Sequence, residues 1–322
     1  MNSCAYQTGM DLQEWQKSAR ECLIDLLGIR ARLSNPRCSL DPQTVWERRN
    51  EYGSITKMTL QMEPGFRNQI YICIPDNVKP PYQAFLCIQG HTTGMHQSIA
   101  VDYDTESVPY SDVPDDDFAI GCMKRGIPAV CLEQRAMGVN STNADHYPSC
   151  YIPVMQALLK GETLLAQRIF DVDRVIDYIS SRGDFDISKL GIMGNSGGGT
   201  TTMFSGALLP RLTHIMPSCS FCTFKDSIHD LNHCSCNHIP KLMVYGESAD
   251  VVGLIAPKPL VVVNGEKDTI FPIGAAKAQF KRLKDMYESV GAGEKCTHVI
   301  GPEGHRFYAE QAWKVMLKYW FE

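Results

Sequence analysis

Several classes of protein are excluded by what this sequence lacks. Its start, Met1-Asn-Ser-Cys-Ala-Tyr-Gln7, has neither a basic stretch nor an apolar one, and no run approaches the roughly 18 apolar residues of a membrane span. No membrane partner is expected, and a cytoplasmic location is the simplest inference. Lys and Arg form no cluster and the formal net charge is −5, so no nucleic-acid partner is expected either. Internal repeats and low-complexity tracts are absent. The thirteen cysteines are an odd number without framework spacing, and several, such as Cys73, Cys87 and Cys131, fall inside apolar strands. They read as small buried hydrophobes kept reduced, not as a disulfide framework.

What is present suits one decorated α/β domain: 322 residues, 44% of them hydrophobic, can bury a large core. The stretch Leu190-Gly-Ile-Met-Gly-Asn-Ser-Gly-Gly-Gly-Thr200 organises the rest. A short apolar run reads as a buried strand, it stops at Gly194, Asn195, Ser196, Gly197 and Gly198, and a small-residue helix follows. In so tight a turn a side chain at Gly194 or Gly198 would strike the neighbouring strand or helix, which leaves Ser196 free at the carboxyl end of the sheet. A glycine-rich anion-binding turn is the plainer alternative.

In chain order, Leu12, Trp15, Ala19, Cys22, Leu23, Leu26 and Leu27 predict an amphipathic helix over 11–28, closed by Gly28 and packed outside the sheet. Residues 57–63 and 69–75 predict an antiparallel hairpin around Pro64-Gly65. Apolar runs at 84–89, 127–133, 190–194, 214–218, 260–264 and 297–300 then alternate with helical patterns, notably 158–179, 273–290 and the C-terminal segment. The expected product is a mostly parallel sheet with helices on both faces. Three stretches exceed ordinary connections: the acidic 92–117 (Asp102, Asp104, Glu106, Asp112, Asp115, Asp116 and Asp117), the polar 138–150, and 219–256. Long loops in a compact domain are commonly lids, although the acidic one reads equally well as a solvated face.

Serine is a weak nucleophile at neutral pH, so Ser196 needs a base, and the base needs an acid to fix its tautomer. Leu260-Val-Val-Val-Asn-Gly-Glu-Lys-Asp268 puts a carboxylate just after one strand, and Thr297-His-Val-Ile-Gly-Pro-Glu-Gly-His305 puts a histidine after the last. Both belong at carboxyl strand ends, the edge of Ser196. Glu266 rivals Asp268 but falls earlier in its turn.

With these residues in order Ser, Asp, His, the chain resembles the α/β-hydrolase superfamily, in its dienelactone-hydrolase-like and acetyl-xylan-esterase-like branch. The resemblance runs from about residue 57 to the end. It rests on Gly194-Asn-Ser-Gly-Gly198, Asn264-Gly-Glu-Lys-Asp268 and Gly304-His305, with Gln89-Gly-His91 after the third strand and Glu133-Gln-Arg135 after the fourth. It implies an α/β-hydrolase fold with an eight-stranded, mostly parallel sheet, helices on both faces, inserted lid or cap loops, and a Ser196, Asp268, His305 triad. Residues 1–50 are expected as an N-terminal helical extension packed on a main domain, 51–322, whose cap insertion spans about 219–256. Many members of the branch carry His-Gly where this sequence has Gln89-Gly90.

A tetrahedral intermediate needs two backbone N–H donors, expected from Gly197 and from His91, the latter through its amide and not its ring. His91 as a rival base stays open, with chain order favouring His305. Arg135 could clamp a substrate carboxylate, but an ion pair with Glu133, Asp171 or Asp173 is the expectation. His233-Cys-Ser-Cys-Asn-His238 has the residue types of a zinc site without the spacing, since paired cysteines are ordinarily two or more residues apart. It is expected to be part of the cap, and no metal or cofactor is expected. The sequence therefore points to a serine esterase of small, short-acyl esters such as acetylated sugars. A peptidase, thioesterase or lactonase with the same triad, or a silent binding protein of this fold, are the alternatives. The partner is a small-molecule ester, and a homo-oligomer is compatible with the sequence.

Overall fold

The computed structural model describes residues 4–322 except Asp112, so Asp112 of the acidic loop and Met1 to Ser3 lie outside the described residues. Nine strands form one sheet: β1 (Gln43–Arg49), β2 (Gly53–Glu63), β3 (Phe66–Pro75), β4 (Tyr82–Ile88), β5 (Ala129–Leu132), β6 (Phe185–Asn195), β7 (His214–Ser218), β8 (Leu260–Gly265) and β9 (Cys296–Gly301). Their order across the sheet is β1-β2-β3-β5-β4-β6-β7-β8-β9. The β1–β2, β2–β3 and β3–β5 pairs are antiparallel, and every pair from β5 through β4 to β9 is parallel.

The central strands are buried on both faces, and their side chains divide with the strict alternation of a pleat. Ala84, Leu86 and Ile88 of β4 and Leu260 and Val262 of β8 enter one core, under helices Leu164–Arg182, Gly197–Leu208 and Ile273–Ser289. Phe85 and Cys87, with Val261 and Val263, enter the other, under helices Phe118–Met123 and Ala309–Phe321. Helices on both faces of a mostly parallel sheet are thus dictated by strand runs, such as Ala84 to Ile88 and Leu260 to Val263, that are apolar at every position. Burying such a strand on one side alone would leave half its side chains in water.

Two features differ from the sequence expectation. The sheet has nine strands and not eight, because β1, in the segment expected to be helical, pairs with the hairpin edge. Six of its seven residues are exposed, so it carries no apolar alternation to read; only Trp46 turns inward, its Nε1 donating to Glu106. The helix Leu12–Leu27 packs on other helices: Gln16 donates to the carbonyls of Gly253 and Ala256, and Arg20 to those of Ala207 and Leu254. No described helix is long and apolar enough to cross a membrane.

Candidate active site

Ser196 sits where β6 hands over to the helix Gly197–Leu208, at φ 55° and ψ −121°, a left-sided conformation that a residue with a side chain adopts only under constraint. The constraint is steric. A Cβ on Gly194 would lie 2.6 Å from the Gly198 carbonyl, and one on Gly198 would lie 2.0 Å from the Ile88 carbonyl of β4. The Ser196 N–H donates to Ser218 O at the end of β7, and Ser218 Oγ donates to Asn195 Oδ1, so the turn is pinned by the adjacent strand. Ser196 itself is half-buried, while its neighbours on either side are buried.

Asp268 and His305 meet as expected from their strand ends. His305 Nδ1 lies 2.8 Å from Asp268 Oδ2, and the other carboxylate oxygen accepts the N–H groups of Ile270 and Phe271. Burial alone would raise the pKa of Asp268. The hydrogen bond and charge of His305, with the two amides, outweigh it and hold the carboxyl below its ordinary range. An ionised Asp268 accepts only, so the proton of this contact is on Nδ1 and Nε2 is left as the basic nitrogen. Glu266 is exposed. Phe271 stacks on the His305 ring at 5.7 Å, and His233 of the 219–256 segment packs against the other edge of Phe271. No hydrogen bond joins Ser196 Oγ to His305 in this conformation, a contact that in free enzymes commonly tightens only with substrate.

Cys219, which the sequence did not single out, lies with its sulfur within 4.8 Å of the ligand atoms of Asp268 and His305. Burial, then the charge of Asp268, pushes its thiol up to about 12, and it donates to the Arg306 carbonyl. It is a neutral thiol that packs against the pair.

On the other side of Ser196, Gly90 backs onto the turn: a Cβ there would be 3.1 Å from that of Ser196. The N–H groups of His91 and Gly197 have no acceptor among the described residues. The His91 ring covers Gly197, with Cε1 and Nδ1 2.6 Å from where a Cβ would stand, and its Nε2 is 3.1 Å from Cys236 Sγ. Gln89 reaches from the end of β4 to Ser98 Oγ and the Asp116 carbonyl and so ties down the 92–117 loop. Gln134 bridges the Gln89 carbonyl to Thr201 of the helix after Ser196.

The remaining charged candidates are internal. Arg135 is buried in a two-bond contact with Asp171, 2.8 and 2.7 Å, the structural pairing expected of it. In the acidic loop, Asp102 accepts from the N–H groups of Thr105, Ser107 and Val108, Glu106 accepts from Lys57, Tyr71 and Trp46, and Asp115 pairs with Arg306. Glu106 and Asp115 therefore hold the loop on the domain, while Asp102 folds the loop on itself. Glu133 is buried against Gly94 and Gly138; burial pushes its carboxyl up to about 8 against the opposing amides of Met95 and Gln134.

The Abhydrolase family model matches residues 3–289. The first 50 residues, outside the pattern of the resemblance, thus fall within the family, whereas His305 lies beyond the match. YtaP of Bacillus subtilis (strain 168), provisionally named a hydrolase, is 27% identical over 153 residues, 47% of this chain and 51% of its own length. The alignment thus spans about half of that relative. Among solved structures, a Bacteroides fragilis NCTC 9343 protein provisionally named an acetyl xylan esterase covers 93% of this chain and 78% of itself at 18% identity and TM-score 0.75. The methylesterase BT1017 covers 97% of this chain and 65% of itself at 21% identity and TM-score 0.75. Likeness at such identities speaks to the fold, and the fold is the one the strand order describes. With the family match extending over most of its length, the chain belongs to the Abhydrolase family of the α/β-hydrolase superfamily.

Proposed function

We propose that this protein is a serine hydrolase that cleaves short-acyl carboxylic esters through an acyl-enzyme. The observation that carries the reading is the 2.8 Å contact of His305 Nδ1 with a buried, ionised Asp268 on the sheet edge that also presents Ser196. Ser196 Oγ attacks the ester carbonyl as its proton passes to His305 Nε2; the C–O bond then breaks and the alcohol leaves with that proton. Water, deprotonated by the same nitrogen, releases the acid. Asp268 orients the ring and stabilises the imidazolium. The unpaired N–H groups of Gly197 and His91 take the oxyanion, whose charge develops only as the carbonyl carbon becomes tetrahedral.

The short acyl group and a hydroxyl-rich alcohol, such as an acetylated sugar, are supported by the 219–256 segment reaching the site on both sides, through Cys236 against His91 and through His233 against Phe271, which stacks on His305. The names of the structural relatives, an acetyl xylan esterase and a methylesterase, are compatible with it. Thirteen free cysteines suit a reducing, cytoplasmic setting. The test is a fluorophosphonate probe followed by peptide mapping, with hydrolysis of p-nitrophenyl acetate in parallel. Covalent labelling on Ser196 and turnover are expected together. Absence of both in folded protein would leave a binding protein of the same fold, and labelling at another serine would move the nucleophile.

A further inference from the structure

His91, Cys150, Cys234 and Cys236 converge beside the turn of Ser196, each offering one ligand atom and all four atoms within 4.8 Å of one another. They come from three segments: His91 follows β4, Cys150 precedes helix Tyr151–Leu159, and Cys234 and Cys236 lie in the 219–256 insertion. Cys236 Sγ is 3.5 Å from Cys234 Sγ and 3.1 Å from His91 Nε2. Zinc–sulfur bonds of about 2.3 Å and zinc–nitrogen bonds of about 2.0–2.1 Å define a tetrahedron whose edges are roughly 3.5–3.8 Å, close to this spacing. A disulfide would need its sulfurs at about 2.05 Å, and all three cysteines are free.

A second observation points the same way. Arg168 is 3% exposed and no carboxylate pairs with it among the described residues; its guanidinium donates to the Arg135 carbonyl and, at 3.3 Å, to Cys150 Sγ. Every other strongly buried arginine has a carboxylate: Arg135 has Asp171 and Glu63, and Arg174 has Asp177. A buried guanidinium is costly without an anion, and among the described residues the side chain it meets that can become one is the Cys150 thiol.

We propose that these four residues bind a zinc ion in a closed Cys3His site that clips the 219–256 insertion to the loops after β4 and β5. Three thiols release their protons on binding. Three thiolates and a neutral imidazole around a doubly charged ion leave one net negative charge, which Arg168 neutralises. Four protein ligands complete the tetrahedron, so the ion has no open position for water or substrate and its role is structural. The spacing of Cys234 and Cys236 is unusual for a site built from one segment, but here two of the ligands arrive from elsewhere in the chain. Because His91 is the fourth ligand, the ion would also fix the peptide assigned to the oxyanion. That consequence rests on the proposed esterase reading; the site does not.

Metal analysis of the untagged protein tests the site independently of activity. About one zinc per chain is expected, falling below about a tenth in Cys236→Ser and unchanged in Cys22→Ser, a substitution outside the cluster. Should Cys236→Ser fail to fold, cobalt added to chelator-stripped wild type decides, with thiolate-to-metal charge-transfer absorption at one equivalent expected. Stripped protein that takes up cobalt without such absorption, full zinc in a folded Cys236→Ser, or a disulfide within the cluster in freshly purified protein would each overturn the proposal.

Discussion

Two sulfur-containing clusters flank Ser196, and their difference is instructive. On one side Cys219, Asp268 and His305 bring together a thiol, a carboxylate and an imidazole; on the other stand His91, Cys150, Cys234 and Cys236. In the first, a carboxylate held ionised by the hydrogen bond and charge of His305, with two amides adding to them, faces one imidazole, and the thiol beside it is kept neutral by burial. In the second no carboxylate takes part among the described residues, and the charge beside the thiols is a buried guanidinium. The same residue types thus serve opposite ends. An anion beside a histidine prepares it to accept a proton, whereas a cation beside thiols prepares them to lose theirs.

The comparison breaks first at its centre. Ser196→Ala should leave the fold intact and lower ester turnover by roughly four to six orders of magnitude, as expected when a triad nucleophile is removed; retention of a tenth of wild-type activity, with contamination excluded, would remove the serine from the chemistry. The acid side is tested next. Asp268→Asn puts the amide where the carboxylate was and favours the wrong tautomer of His305, so kcat should fall by about 10⁴, with Glu266→Gln close to wild type. The reverse ranking would transfer the acid to Glu266 and dissolve the first cluster.

A smaller effect concerns what both clusters enclose. If the insertions wall a small acyl pocket, kcat/KM on p-nitrophenyl esters should be highest from acetyl to butyryl and at least about tenfold lower at octanoyl, against a gain of about 0.8 kcal/mol per methylene in an open apolar groove. A steady climb to octanoyl would describe an open groove. The smallest effect sharpens the contrast by pH. The folded pKa of Asp268 is depressed, so its contribution to stability is present above its ordinary value of 3.8 and lost as pH falls through the folded value. Glu133, which anchors the loops on the other side, is raised: its contribution is complete below its ordinary 4.5 and lost as pH rises through about 8. Melting temperature should therefore fall between about pH 4.5 and pH 8 in wild type and fall less in Glu133→Gln. Parallel curves for the two proteins would mean that Glu133 does not titrate there.

By itself the sequence determined the strands from β2 onward, the turn at Ser196, and the placing of Asp268 and His305 at strand ends on the edge of Ser196. Each depends on a requirement confined to one segment: strands apolar at every position must be covered twice, a tight strand-to-helix turn admits only glycine at 194 and 198, and a residue just past a parallel strand must emerge at the carboxyl edge. Only the tertiary structure decided the rest. Strand β1 was illegible because its burial comes from one residue, Trp46, and its pairing from a partner strand. The grouping of His91, Cys150, Cys234 and Cys236 was illegible for a related reason. Spacing rules describe ligands whose geometry is set by one stretch of backbone, and these are separated by up to 145 positions, brought together by how the insertions fold back over the sheet edge.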